Sequence, residues 1–74
     1  MNKIKEIYMP NGERAGHLLV GDYKIEAYSY DRVYIARFDF ISGITDRNGD
    51  HTQGTPDDLE KMVIDYYTLM HSEQ

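Results

Sequence analysis

The side chains of this chain best able to do chemistry gather toward its C-terminal end. Residues 46 to 74 hold seven carboxylates (Asp46, Asp50, Asp57, Asp58, Glu60, Asp65 and Glu73) against Arg47 and Lys61, and so carry the whole net charge of -5. Residues 1 to 45 balance six acids with six bases. Clustered carboxylates can bind a hard cation, exchange protons in catalysis, or present an attractive field to a basic partner. Spacing decides among these.

A cation is the first test. In "DRNGDHTQGTPD", Asp46, Asn48, Asp50 and Thr52 fall at alternate positions and Asp57 stands twelfth, as in a calcium loop. The sixth position is His51 where the sharp turn requires glycine, and the twelfth is Asp instead of the longer Glu. A solvated turn at Asn48-Gly49 is the better reading, and no metal is assigned. His17, His51 and His71 share no ligand-like spacing, and with no cysteine there is neither a thiolate ligand nor a disulfide. Ser29, Ser42 and Ser72 lack a nucleophile elbow, and no glycine loop of the phosphate-binding type occurs. The chain reads as non-enzymatic, with no cofactor.

The electrostatic role remains. Asp46, Asp50, Asp57, Asp58, Glu60 and Asp65 are the candidate partner-binding acids, and such a field attracts basic proteins while repelling nucleic acid. A sequence pI of about 4.9 lacks the basic footprint of phosphate contacts. "MNKIKEIYMP" lacks the apolar run of a signal peptide, and no stretch is long and apolar enough for a transmembrane span, which predicts a soluble, cytoplasmic protein.

The elements that must position these acids follow from periodicity. Seventy-four residues make one domain, 1–74, with a marginal core. Treating Gly21-Asp22 and Asp31-Arg32 as two-residue turns pairs Tyr23 with Phe40, Ile25 with Phe38, Ala27 with Ala36 and Ser29 with Tyr34 on one face. Lys24 then meets Asp39, Glu26 meets Arg37, Tyr28 meets Ile35 and Tyr30 meets Val33 on the other. On the first hairpin Val20 pairs with Tyr23, Leu18 with Ile25, and His17 lies beside Glu26. The strands expected are about 3–9, 16–20, 23–30 and 33–41, and residues 42 to 54 read as a polar loop. "TPDDLE" opens a helix over about 56–71, with Thr55 as cap, Pro56 at the first turn, and Leu59, Met62, Val63, Tyr66, Tyr67 and Met70 as its buried stripe.

The expected fold is α+β: a three- or four-stranded antiparallel meander with one C-terminal helix on the Tyr23, Ile25, Phe38 and Phe40 face. Tyr28, Tyr30, Val33 and Ile35 are left uncovered on the other face, a candidate interface and most simply a homodimer contact.

From residue 23 onward, "YKIEAYSYDRVYIARFDFISGI" followed by "TQGTPDDLEKMV" resembles the HicB family of antitoxin domains. Gly43 matches that family's corner glycine, Thr52 and Gly54 its Thr-x-Gly, Thr55 the helix cap, and Asp57 and Asp58 the acidic first turn. "DRNGDH" is inserted, Ser42 replaces the corner proline, the Asp between Gly54 and Thr55 is missing, and residues 1–22 have no counterpart. The family's C-terminal DNA-binding segment is absent as well. The resemblance implies a non-enzymatic inhibitor docked on a small basic RNA-cleaving toxin. Composition and resemblance together favour an acidic inhibitor of a nuclease or toxin, antitoxin-like or of the phage anti-defence (anti-CRISPR) kind. The alternatives are a structural homo-oligomer of a phage or mobile element and a small nucleic-acid-binding domain.

Overall fold

The computed structural model describes residues 2–72, so Glu73 and the ends of the expected domain lie outside it. Six antiparallel strands run in chain order across one sheet: β1 Lys3–Tyr8, β2 Arg14–Val20, β3 Ile25–Ser29, β4 Tyr34–Asp39, β5 Gly43–Asp46 and β6 His51–Thr52. Helix α1, Pro56–Met70, then packs over β1 to β4 on one face. The α+β meander with a single covering helix is as expected. None of the helices among the described residues is long and apolar enough to cross a membrane.

Two strands more than expected come from the polar stretch 42–54. The Asp46 carboxylate accepts the backbone N–H groups of Asn48 (2.9 Å) and Asp50 (3.0 Å), and Gly49 takes φ +88°, which closes a tight hairpin between β5 and β6. Turn chemistry, with only Ile44 buried, makes these strands.

The β3–β4 register starts as the cross-strand charges require, with Ile25 opposite Phe38, Glu26 opposite Arg37 and Ala27 opposite Ala36. It then slips, because Ile35 is an extra residue on β4 and Tyr28 faces Tyr34 instead. The bulge is set by the turn. Ser29 is fully buried; its hydroxyl accepts the Val33 N–H (3.0 Å) and donates to Asp31, while Arg32 adopts φ +71°. One added residue reverses the faces of Tyr34 and Ile35 relative to the bulge-free pairing.

The first hairpin differs by two residues. Gly21 donates its N–H to Lys24 O (2.9 Å), so the connection spans Gly21–Lys24, and Val20 pairs with Ile25, Leu18 with Ala27 and His17 with Tyr28. A shift of two keeps every side chain on its expected face. Tyr23 and Phe40, however, fall outside the ladder and stand exposed; they do not lie under the helix.

The core lies between helix and sheet, where Leu18, Phe38 and Ile44 meet Leu59 and Val63 over a floor of Ala15, Ala27 and Ala36. Small residues let the helix approach closely. A Cβ on Gly16 would lie 2.2 Å from the Tyr28 carbonyl and 2.7 Å from Val63 Cγ1. Of the expected stripe, Leu59 and Val63 are fully buried and Met62, Tyr66 and Tyr67 partly so, but Met70 is 49 % exposed. At the helix start the Asp58 carboxylate accepts the Thr55 N–H (2.8 Å), so a side chain in the first turn caps its own helix. The accessible surface of 5251 Å² exceeds the roughly 4,700 Å² typical of this mass, as expected of a sheet covered on one side.

Candidate partner-binding surface

The six candidate acids divide by what they already do. Asp46 is tied into its turn, Asp58 caps the helix, and Glu60 binds Lys5 Nζ at 2.5 Å. The Glu60 hydrogen bond and charge raise the Lys5 pKa above its usual value. The carboxylates of Asp50, Asp57 and Asp65 make no hydrogen bond or ion pair among the described residues, and all three are exposed. Half of the acidic set is therefore structural. Lys61 further divides Asp57 from Asp65 along the outer row of the helix, at four-residue steps.

Three of the acids, Asp46, Asp58 and Asp65, lie on or near one flank of α1. A cleft of ≈ 470 Å³ opens between the β5–β6 hairpin and the helix, with Ile35, Met62 and Tyr66 as its apolar lining and Asp46, Arg47 and Asn48 at its edge. Asp58 and Asp65 lie four residues before and three after Met62, hence on the same flank of the helix. The edge of the slot holds one carboxylate, Asp46, beside Arg47, and the nearest unbound carboxylate along the helix is Asp65. An apolar slot of this kind can bury the aliphatic stem of a cationic side chain while its head reaches those carboxylates. Sequence reasoning found the acids here but missed Met62, Tyr66 and Ile35 as lining. Ile35 is brought in only by the bulge.

The proposed open-face patch does not form as a unit. Tyr28 lies there as expected. Ile35 is buried in the core at 6 % exposure. Tyr30 turns to the helix end, with its ring edge-on to Tyr67 at 5.4 Å and 5.2 Å from His71. Val33 is half-buried in the β3–β4 turn, bonded through its backbone to Ser29.

What the open face presents is a row of interlocked rings. Glu6, His17, Tyr28 and Tyr34 align across four strands. His17 stacks on Tyr28 at 5.3 Å and 15°, and Tyr34 meets Tyr28 edge-on at 5.6 Å. Arg14 binds Glu6 at 2.5 Å and donates to His17 Nδ1 at 3.0 Å, which puts the imidazole proton on Nε2. Burial pushes the Tyr34 phenol up. Lys24 sits 3.6 Å from Glu26. The rings face one another and Arg14 and Lys24 already face carboxylates, while Arg32 lines a pocket of ≈ 310 Å³ on this face with Ile4, His17, Leu19 and Tyr28.

The three histidines are dispersed. His51 is bonded to Thr45 and His71 lies over Tyr67, whose hydroxyl donates to Glu13. That bond raises the Tyr67 pKa. Among the described residues no group of three or more His, Asp or Glu side chains could hold a metal ion. Neither family models, curated proteins nor solved structures contain a match to this chain.

Proposed function

We propose that this protein is a non-enzymatic inhibitor that docks its acidic flank on a basic protein, such as the nucleic-acid groove of a nuclease or toxin. The observation that carries the reading is the cleft of Ile35, Met62 and Tyr66 with Asp46 at its edge and Asp58 and Asp65 beside it. A partner Arg or Lys entering that slot buries its stem and meets Asp46 at the edge and Asp65 beside it, while Asp50 and Asp57 extend the field that steers approach. The HicB-like run of residues 23–70 points to the same class of target, a small basic RNA-cleaving toxin, and phage anti-defence inhibitors of nucleases fit the same chemistry. We put the encounter in the cytoplasm, where such nucleases act.

The test is affinity capture from host lysate at low salt, comparing the wild type with an Asp57→Lys/Asp65→Lys variant. Asp58 is left intact because its loss would weaken the helix cap. The expected catch is a basic nuclease that elutes with salt, escapes the variant, and is inhibited by added wild-type protein. Equal capture by both proteins, or a captured nuclease that stays fully active, contradicts the reading.

A further inference from the structure

Three large apolar side chains stand almost wholly in solvent at one end of the sheet: Tyr23 at 87 %, Phe40 at 89 % and Ile41 at 97 %. They come from the two neighbouring turns that follow β2 and β4. Turn tips ordinarily carry polar residues, and a small monomer gains nothing for its own core by placing Phe-Ile there.

The turn is also held in shape. The Asp39 carboxylate accepts the N–H of Ile41 (2.9 Å) and of Ser42 (2.7 Å), and the Phe40 ring rests edge-on against Phe38 at 5.2 Å. Between the two turns runs a groove of ≈ 440 Å³ lined by Tyr23, Phe40 and Ile41, with Asp22, Lys24 and Asp39 around it. The patch thus combines a projecting knob, Ile41, with an adjoining apolar groove.

We infer that this end of the sheet is a self-association surface, where Ile41 of each copy enters the groove between Tyr23 and Phe40 of a second copy. Three observations select a second copy as the occupant. A surface holding both knob and groove is self-complementary, which an isologous two-fold contact requires. The surrounding charge is mixed, with Asp22 and Asp39 beside Lys24, which itself lies 3.6 Å from Glu26, so a partner of one sign is matched poorly whereas a second copy brings the same mixture. The area fits as well. Three such side chains offer on the order of 500 Å² per copy. A pair then buries about 1,000 Å², the threshold of specific association and short of a permanent dimer. The contact is therefore weak and reversible, and it leaves the acidic cleft on the helix flank free.

Sedimentation velocity from micromolar to millimolar protein tests this, with amide chemical shifts followed on dilution. The wild type is expected to pass from monomer to dimer, with dilution shifts concentrated at residues 22–24 and 39–42. Ile41→Asp places its charge on an almost fully exposed side chain, so the fold is retained by circular dichroism while self-association weakens by about tenfold or more. Tyr34→Ser on the open sheet face should dimerise like the wild type. A wild type that stays monomeric throughout overturns the inference. So does a dimer that survives Ile41→Asp, or one abolished by Tyr34→Ser alone.

Discussion

The two faces of this sheet solve the same problem by different means. Under the helix, Leu18, Phe38, Ile44, Leu59 and Val63 close on a floor of alanines, and each is buried. On the opposite face no second layer exists among the described residues, and Ile4 stands 63 % exposed beside His17, Leu19 and Tyr28. Its rings lie against one another, from His17 to Tyr28 to Tyr34, and its charges pair as Arg14 with Glu6 and Lys24 with Glu26. A face of that kind tolerates water, because each tyrosine keeps a polar tip and each charged stem covers its neighbours. The most exposed large apolar side chains lie elsewhere, at the turns bearing Tyr23, Phe40 and Ile41.

That contrast can be broken by mutation. Leu59→Ala beneath the helix should cost about 3 kcal/mol by urea unfolding, a large share of the roughly 4–11 kcal/mol that a chain of this length commands. Tyr34→Ala on the open face should cost about 1 kcal/mol and leave the helix signal unchanged. Equal losses at the two positions would mean that the faces do not differ as described. Asp58→Ala removes the group that caps α1 at Thr55 and should cost about 1 kcal/mol, read as the same urea midpoint shift.

The smallest effect expected is a local titration. The N–H groups of Ser42 and Ile41 bind the charged form of the Asp39 carboxyl, and so hold its pKa below the ordinary 3.8. A depressed carboxyl stabilises the fold fully above its ordinary value and loses that contribution as pH falls through the lower, folded one. The amide shifts of Ile41 and Ser42 should therefore stay constant above about pH 5 and move only below about pH 4, the acid side of a normal carboxyl. Movement centred above the ordinary value would show that the turn does not hold the charged form.

Much of the fold was legible in the sequence because charge and periodicity agree. Glu26 opposite Arg37 and Ile25 opposite Phe38 give the central register, and "TPDDLE" marks the helix start within a residue. What escaped reading turned on single insertions. The four-residue connection at Gly21–Lys24 moves β2 against β3 by two places without changing faces, so hydropathy cannot detect it. The bulge at Ile35 does change faces, and its cause is the Ser29 hydroxyl bonding its own turn, which no alternation pattern encodes. Strands β5 and β6 were hidden for a related reason, since a hairpin held by the Asp46 carboxylate has the composition of a loop. At the candidate site the acids were visible as a charge run, but their division into bound and unbound groups depends on tertiary neighbours. Lys5, which holds Glu60, lies at the other end of the chain.

The proposed docking of a cationic side chain in the cleft can be measured with the protein alone. Amide and methyl shifts of the protein, titrated with N-acetyl-arginine amide at low salt, report where an isolated cationic side chain settles. Weak, saturable shifts are expected at Ile35, Met62, Tyr66 and residues 46–48, diminished by added salt and by Asp65→Lys. Shifts spread evenly over every surface carboxylate, or centred on the open face around His17 and Tyr28, would contradict it.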